Sequence, residues 1–100
     1  MQALATRRNR LEVLTEILRF CKSPRAKTRI MQKANLSYHV LQDCLQQLID
    51  LNLVELRPER FEYVTSKKGI IFLEKWGQLE EFLTPEETIT IKTKRFFPRY

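Results

Sequence analysis

Two sets of side chains in this sequence are spaced to act together on a polyanion. Arg25, Arg29 and Lys33 recur every fourth residue, so on a helix they form one cationic row, and Lys27 and Thr28 stand at the start of the same segment. Downstream, Ser37, Tyr38, His39, Gln42 and Gln46 fall on the polar side of a second periodic stretch. Cations at the start of a helix can grip phosphate, helped by the helix's positive end. Amide, imidazole and hydroxyl groups can instead exchange hydrogen bonds with base edges. Gln42 suits bidentate pairing with adenine, His39 offers one donor, Ser37 and Tyr38 reach phosphate or a thymine methyl, and Gln46 reaches the backbone.

The charge distribution agrees with that division of labour. The chain has 100 residues and a net charge of +6, but residues 1–35 carry nine Lys/Arg against two Glu, whereas residues 36–65 carry two against five. A basic region on a small domain attracts nucleic acid or acidic membrane surfaces. Residues 36–52 contain no Lys or Arg, so Arg to guanine, the commonest specific contact, has no donor there and affinity must come from elsewhere. Arg57 and Arg60, in the turn Arg57-Pro58-Glu59-Arg60, suit a narrow minor groove, although Glu59 repels phosphate and an ordinary surface turn also fits. Arg7, Arg8 and Arg10 read either as a backbone-contacting arm or as a solvated helix start.

Other chemistries find little support. There is one His, no Gly-rich phosphate loop and no nucleophile beside a recognisable base, so no catalysis is expected. Cys21 and Cys44 lie far apart without His or Cys at ligand spacing, which predicts core thiols and neither a metal nor a cofactor. No apolar run approaches the roughly 20 residues that span a bilayer, and no signal peptide is visible. A cytoplasmic, nucleoid-associated location is the expectation, with no membrane partner and no small-molecule ligand.

The elements that must position these groups follow from periodicity. Leu11, Leu14, Ile17, Leu18 and Cys21 mark an amphipathic helix between residues 7 and 22, which Ser23-Pro24 ends. A second helix runs from about Arg25 to Ala34. Ser37 caps a third, whose inward row is Leu41, Cys44, Leu45, Leu48 and Leu51, and Asn52 suits the left-handed conformation that closes many helices. From Leu53 to Thr65 the period becomes 2, predicting a hairpin with Leu56 and either Phe61 or Tyr63 inward. Thr65 then caps a fourth helix, residues 66 to about 83. The fold class is mainly α with a small β-hairpin (α+β), in the order helix, helix, helix, hairpin, helix: a winged helix-turn-helix domain over residues 1–83, with an arm of mixed helix and strand signals at 84–100. The arm's ending, Lys92 to Tyr100, interleaves cations and aromatics. That pattern suits single-strand binding, packing against the last helix, or disorder.

Lys27-Thr28-Arg29-Ile30-Met31, Asn35-Leu36-Ser37-Tyr38, Leu53-Val54 and Thr65-Ser66-Lys67-Lys68-Gly69 followed by Phe72-Leu73-Glu74 together resemble the small archaeal winged-helix proteins of the chromatin-associated and regulator type. The resemblance covers about residues 7–83. It departs at Asn52, where that pattern usually has Gly. It implies double-stranded DNA binding, in transcription regulation or chromatin, with the third helix in the major groove, and dimers joined through the last helix. The sequence itself supports a homodimer, because Phe72, Trp76, Leu79 and Leu83 follow coiled-coil spacings and leave more apolar surface than one small core requires. The arm folding back over that stripe is the alternative cover. The alternative function is a winged-helix adaptor whose third helix meets protein instead of DNA.

Overall fold

In the computed structural model, which describes residues 9–82, Asn9 begins the first helix. The elements in chain order are α1 (Arg10–Phe20), β1 (Arg25–Ala26), α2 (Lys27–Ala34), α3 (Tyr38–Asp50), β2 (Val54–Arg57), β3 (Glu62–Thr65) and α4 (Lys67–Glu81). The strands form one antiparallel sheet in the order β1-β3-β2. Arg7, Arg8, Leu83 and the arm at 84–100 lie outside the described residues. None of the described helices is long and apolar enough to cross a membrane.

The starts of α1, α3 and α4 are capped by a local side chain, whereas α2 follows Ala26 and has no side-chain cap. Asn9 Oδ1 accepts from the Glu12 amide at 2.9 Å while Glu12 Oε1 accepts from the Asn9 amide at 3.2 Å, a reciprocal pair that satisfies two otherwise orphan donors. Ser37 caps α3 as expected, its hydroxyl accepting from the Val40 amide at 3.2 Å. The inward rows meet in one core: Val13, Leu14, Ile17 and Leu18 of α1, Ile30 and Ala34 of α2, Leu41, Cys44, Leu45 and Leu48 of α3, Leu53 and Val54, and Leu73 of α4. Cys21 and Cys44 are free and buried there. Burial pushes the Cys21 thiol up to about 12 against a weaker opposing pull from Arg25, and burial likewise raises Cys44. Both therefore stay protonated and unreactive near neutral pH.

The second helix, expected from Arg25, begins instead at Lys27. Arg25 and Ala26 pair with Tyr63 and Glu62 as a third strand, too short to leave an alternating pattern in sequence. Thr65 is not a cap either. It ends β3, buried, and the capping hydroxyl belongs to Ser66. In the hairpin, Leu56 is paired with Tyr63 but remains 44% exposed, because the core reaches only as far as Val54. Tyr63 is the inward aromatic, whereas Phe61 is 77% exposed. Phe61 closes the four-residue turn at φ 54°, a conformation that ordinarily belongs to Gly or Asn and costs a bulky residue about 1–3 kcal/mol. Asn35 and Asn52 adopt the same region, at φ 56° and 63°, and close α2 and α3.

The carbonyls left over at the ends of α1 and α3 are taken up by distant residues. Thr65 donates its hydroxyl to the Leu18 carbonyl at 2.6 Å and its amide to the Cys21 carbonyl at 2.8 Å. Arg25 Nε donates to the Phe20 carbonyl at 3.0 Å. Beyond α3, Lys68 Nζ reaches the Leu51 carbonyl at 2.9 Å, the Ser66 hydroxyl reaches that of Asn52 at 2.7 Å, and the Ser66 amide reaches that of Leu53 at 2.9 Å. Ser66 Oγ also accepts from the Gly69 amide at 3.0 Å, so one hydroxyl joins the end of α3 to the start of α4.

That junction admits no side chain at Gly69, where a Cβ would stand 2.3 Å from the Leu53 carbonyl oxygen and 2.5 Å from Thr65 Cγ2. Gly77 meets nothing within 4 Å. Urea denaturation of the two alanine variants should therefore shift in opposite directions: Gly69→Ala destabilised by about 3 kcal/mol through backbone displacement, Gly77→Ala stabilised by about 1 kcal/mol through helix propensity.

Candidate nucleic-acid interface

The polar side of α3 is open. Ser37, Tyr38, His39, Gln42, Asp43, Gln46 and Gln47 are all exposed, while Leu41, Cys44, Leu45 and Leu48 of the same helix are buried. One helix therefore presents its amide, imidazole and phenol groups outward because its leucines are held inward.

Cations flank this face on two sides. Lys27, in the first turn of α2, donates its ammonium to Gln42 Oε1 and sits over the Tyr38 ring at 5.2 Å from its centroid. On the other flank, Arg10 Nε donates to Gln47 Oε1 at 2.8 Å. Gln42 and Gln47 are five residues apart, so their side chains leave α3 in directions well separated around its axis. His39 and Gln46 stand on the face between them. Gln46 Nε2 donates along the helix to Asp50 Oδ1 at 2.8 Å.

Reading the sequence left Arg10 open, as a backbone-contacting arm or a solvated helix start, and did not place it beside Gln47. The available signal was its position three and four residues before Val13 and Leu14, which places it in line with the stripe of α1 that faces the core.

The row Arg25, Arg29 and Lys33 is divided differently from the helical reading. Arg25 precedes the helix, is half-buried and stacks its guanidinium 4.3 Å from the centroid of the Phe20 ring. Lys33, at the far end of α2, holds its ammonium 6.0 Å from the same centroid. Thr28, Arg29 and Lys33 are exposed and free to meet a phosphate backbone; Arg25 is engaged in closing α1. Arg57 and Arg60 are exposed on the hairpin turn. The sheet brings that turn toward α2, because Ala26 pairs with Glu62 and the next residues outward are Lys27 and Phe61. Among the described residues no group of His, Cys, Asp or Glu is placed to hold a metal ion.

A three-helix core with a short turn between α2 and α3, followed by a hairpin and a further helix, defines a winged helix-turn-helix domain, and the winged helix-turn-helix sequence family matches residues 7–84. The chain belongs to that family. Its backbone is similar to the crystal structure of Sso10a-2, a DNA-binding protein from Sulfolobus solfataricus, with a TM-score of 0.61 and 23% sequence identity over 87% of this chain and 94% of that one. Curated protein sequences contain no match.

The two roles assigned to the cationic row separate by stability. Arg25→Ala removes a hydrogen bond to a helix-end carbonyl and a stacked cation, and should cost about 1–2 kcal/mol in thermal or urea unfolding. Arg29→Ala, which removes an exposed side chain, should stay within about 0.5 kcal/mol of wild type.

Proposed function

We propose that this protein binds double-stranded DNA without catalysing a reaction, laying α3 in the major groove while cations from α1, α2 and the hairpin hold the phosphates. The observation that carries this reading is the exposed, cation-free polar face of α3 held between the Lys27–Gln42 and Arg10–Gln47 hydrogen bonds. In free protein those bonds occupy the amide oxygens of Gln42 and Gln47. On a duplex the ammonium and guanidinium turn to phosphate, releasing Gln42 for a base edge, with His39 beside it. Ser37 and Tyr38 lie at the start of α3, the part of a recognition helix that meets base edges. The adaptor alternative draws on the same absence of Lys and Arg from α3. It requires that duplex binding be absent.

In this reading six cations, Arg10, Lys27, Arg29, Lys33, Arg57 and Arg60, neutralise phosphates. Log affinity should then fall with log salt at a slope of roughly −5. Fluorescence-anisotropy titration of duplex DNA at several salt concentrations measures it, and a flat profile rejects the electrostatic mode. Replacing Arg29 and Lys33 together should weaken binding to all sequences alike, whereas Gln42→Ala should change preference among sequences. Selection from random duplexes assigns the role: a shared motif identifies a regulator, and its absence a chromatin-associated protein.

We further infer that the active form is a homodimer joined through α4. Leu11, Phe72, Lys75, Trp76 and Leu79 line a shallow, almost wholly apolar groove of about 240 Å³. Trp76 is only 5% exposed and forms part of the chain's own fold, so Phe72 and the 41% exposed Leu79 are the residues offered to a partner. A twofold dimer would present two α3 faces to successive grooves. Sedimentation should find wild type dimeric and Leu79→Glu monomeric with an unchanged circular-dichroism spectrum. A wild-type monomer at micromolar concentration rejects the dimer.

A further inference from the structure

The tip of the hairpin combines three properties that folding alone does not account for. Phe61 is 77% exposed, so its ring gains little from burial. It occupies φ 54°, where Gly or Asn would sit without strain, so the backbone does not call for a phenylalanine either. Arg57, at the end of β2, and Arg60, in the same turn, both exposed, precede it by four residues and one.

An exposed apolar ring with guanidinium-bearing residues just before it in the chain fits a partner with an apolar interior and an anionic rim. Stacked base pairs between two phosphate backbones have that character. The position agrees, because continuing the β1-β3 register by one residue sets Phe61 opposite Lys27, whose ammonium is bonded to Gln42 of α3. The hairpin turn thus approaches the start of α2, where Lys27 meets α3. It is also firmly mounted, since Tyr63 packs on the core and Val64 is buried.

We propose that Phe61 is a wedge that enters the minor groove and inserts between adjacent base pairs, with Arg57 and Arg60 on the flanking phosphates. This rests on the duplex-binding reading above and adds to it a deformation of the DNA. Insertion of an apolar side chain unstacks one step, unwinds the duplex locally and kinks it toward the major groove, typically by about 20–90°. Glu59, in the same turn, would be held off by the phosphates and so favours entry by the ring rather than by the whole turn.

The full-length protein and its Phe61→Gly and Phe61→Leu variants test this by three readings. Anisotropy reports binding, end-to-end energy transfer on a short labelled duplex reports bending, and topoisomerase relaxation of a closed plasmid reports unwinding. Wild type should bind, shorten the duplex and leave the plasmid underwound. Phe61→Gly should melt no lower than wild type, since glycine takes the turn conformation freely, and should still bind with affinity reduced on the order of tenfold. It should neither bend nor unwind. Phe61→Leu, which keeps an apolar wedge, should retain both effects. Wild-type levels of bending and unwinding by Phe61→Gly, or wild-type binding with neither effect, overturns the wedge while leaving duplex binding intact. Failure of wild type to bind any duplex at low salt overturns both.

Discussion

The helices α1 and α3 end against other parts of this domain, and the carbonyls left at those two ends have to be bonded. Here they are bonded by residues from another part of the chain. Thr65 closes α1 with its hydroxyl and amide; Ser66 and Lys68 close the turn after α3; Arg25 takes the last carbonyl of α1. A buried carbonyl left without a donor costs about 1–3 kcal/mol, so the segment 65–69 has little freedom to dock in another way. Apolar burial holds the helices together, but these directional bonds decide how they are oriented. Gly69 is the condition for the arrangement, because only a residue without a Cβ lets α4 start against the Leu53 carbonyl.

That orientation gives the face of α3 its character. Its leucines are committed to the core, and of its amides Gln46 is committed to Asp50, and Gln42 and Gln47 to Lys27 and Arg10. Both bonds are exposed, so exchanging them for phosphate and base partners replaces one set of hydrogen bonds with another and uncovers no buried group. The cations need only short movements, since each already sits at the border of the face. Arg25 is the exception among the basic residues of this region. Its guanidinium is used by the fold, and its charge reaches the interface only at a distance.

Much of the fold was legible in the sequence because it rests on periodicity. The α1 stripe, the α3 stripe as far as Leu48, the Ser37 cap, the left-handed Asn52 and the change to period 2 after it are all properties of neighbouring residues, whereas Leu51, expected inward, lies past the end of α3 and is exposed. What was not legible depends on residues far apart. A two-residue strand at Arg25–Ala26 has no period of its own and exists because Tyr63 and Glu62 are there to pair with it. Thr65 satisfies the rule for a helix cap, but its hydroxyl is drawn to a carbonyl 47 positions away, and the adjacent Ser66 takes the cap. Leu56 alternates correctly yet falls beyond the edge of the core. At the interface, the outward row of α3 followed from helix geometry alone. The contact between Arg10 and Gln47 required knowing how α1 crosses α3.

The segregation of charge away from α3 carries a consequence for how such a domain can diversify. In a protein whose reading helix also supplies the main phosphate contacts, each change of target disturbs the strength of binding. Here the basic groups belong to α1, α2 and the hairpin, while the outward positions of α3 contribute no positive charge. On the duplex-binding reading proposed above, substitutions among polar residues at His39, Gln42 and Gln46 would alter which DNA sequence is chosen and leave the electrolyte sensitivity of the complex nearly constant.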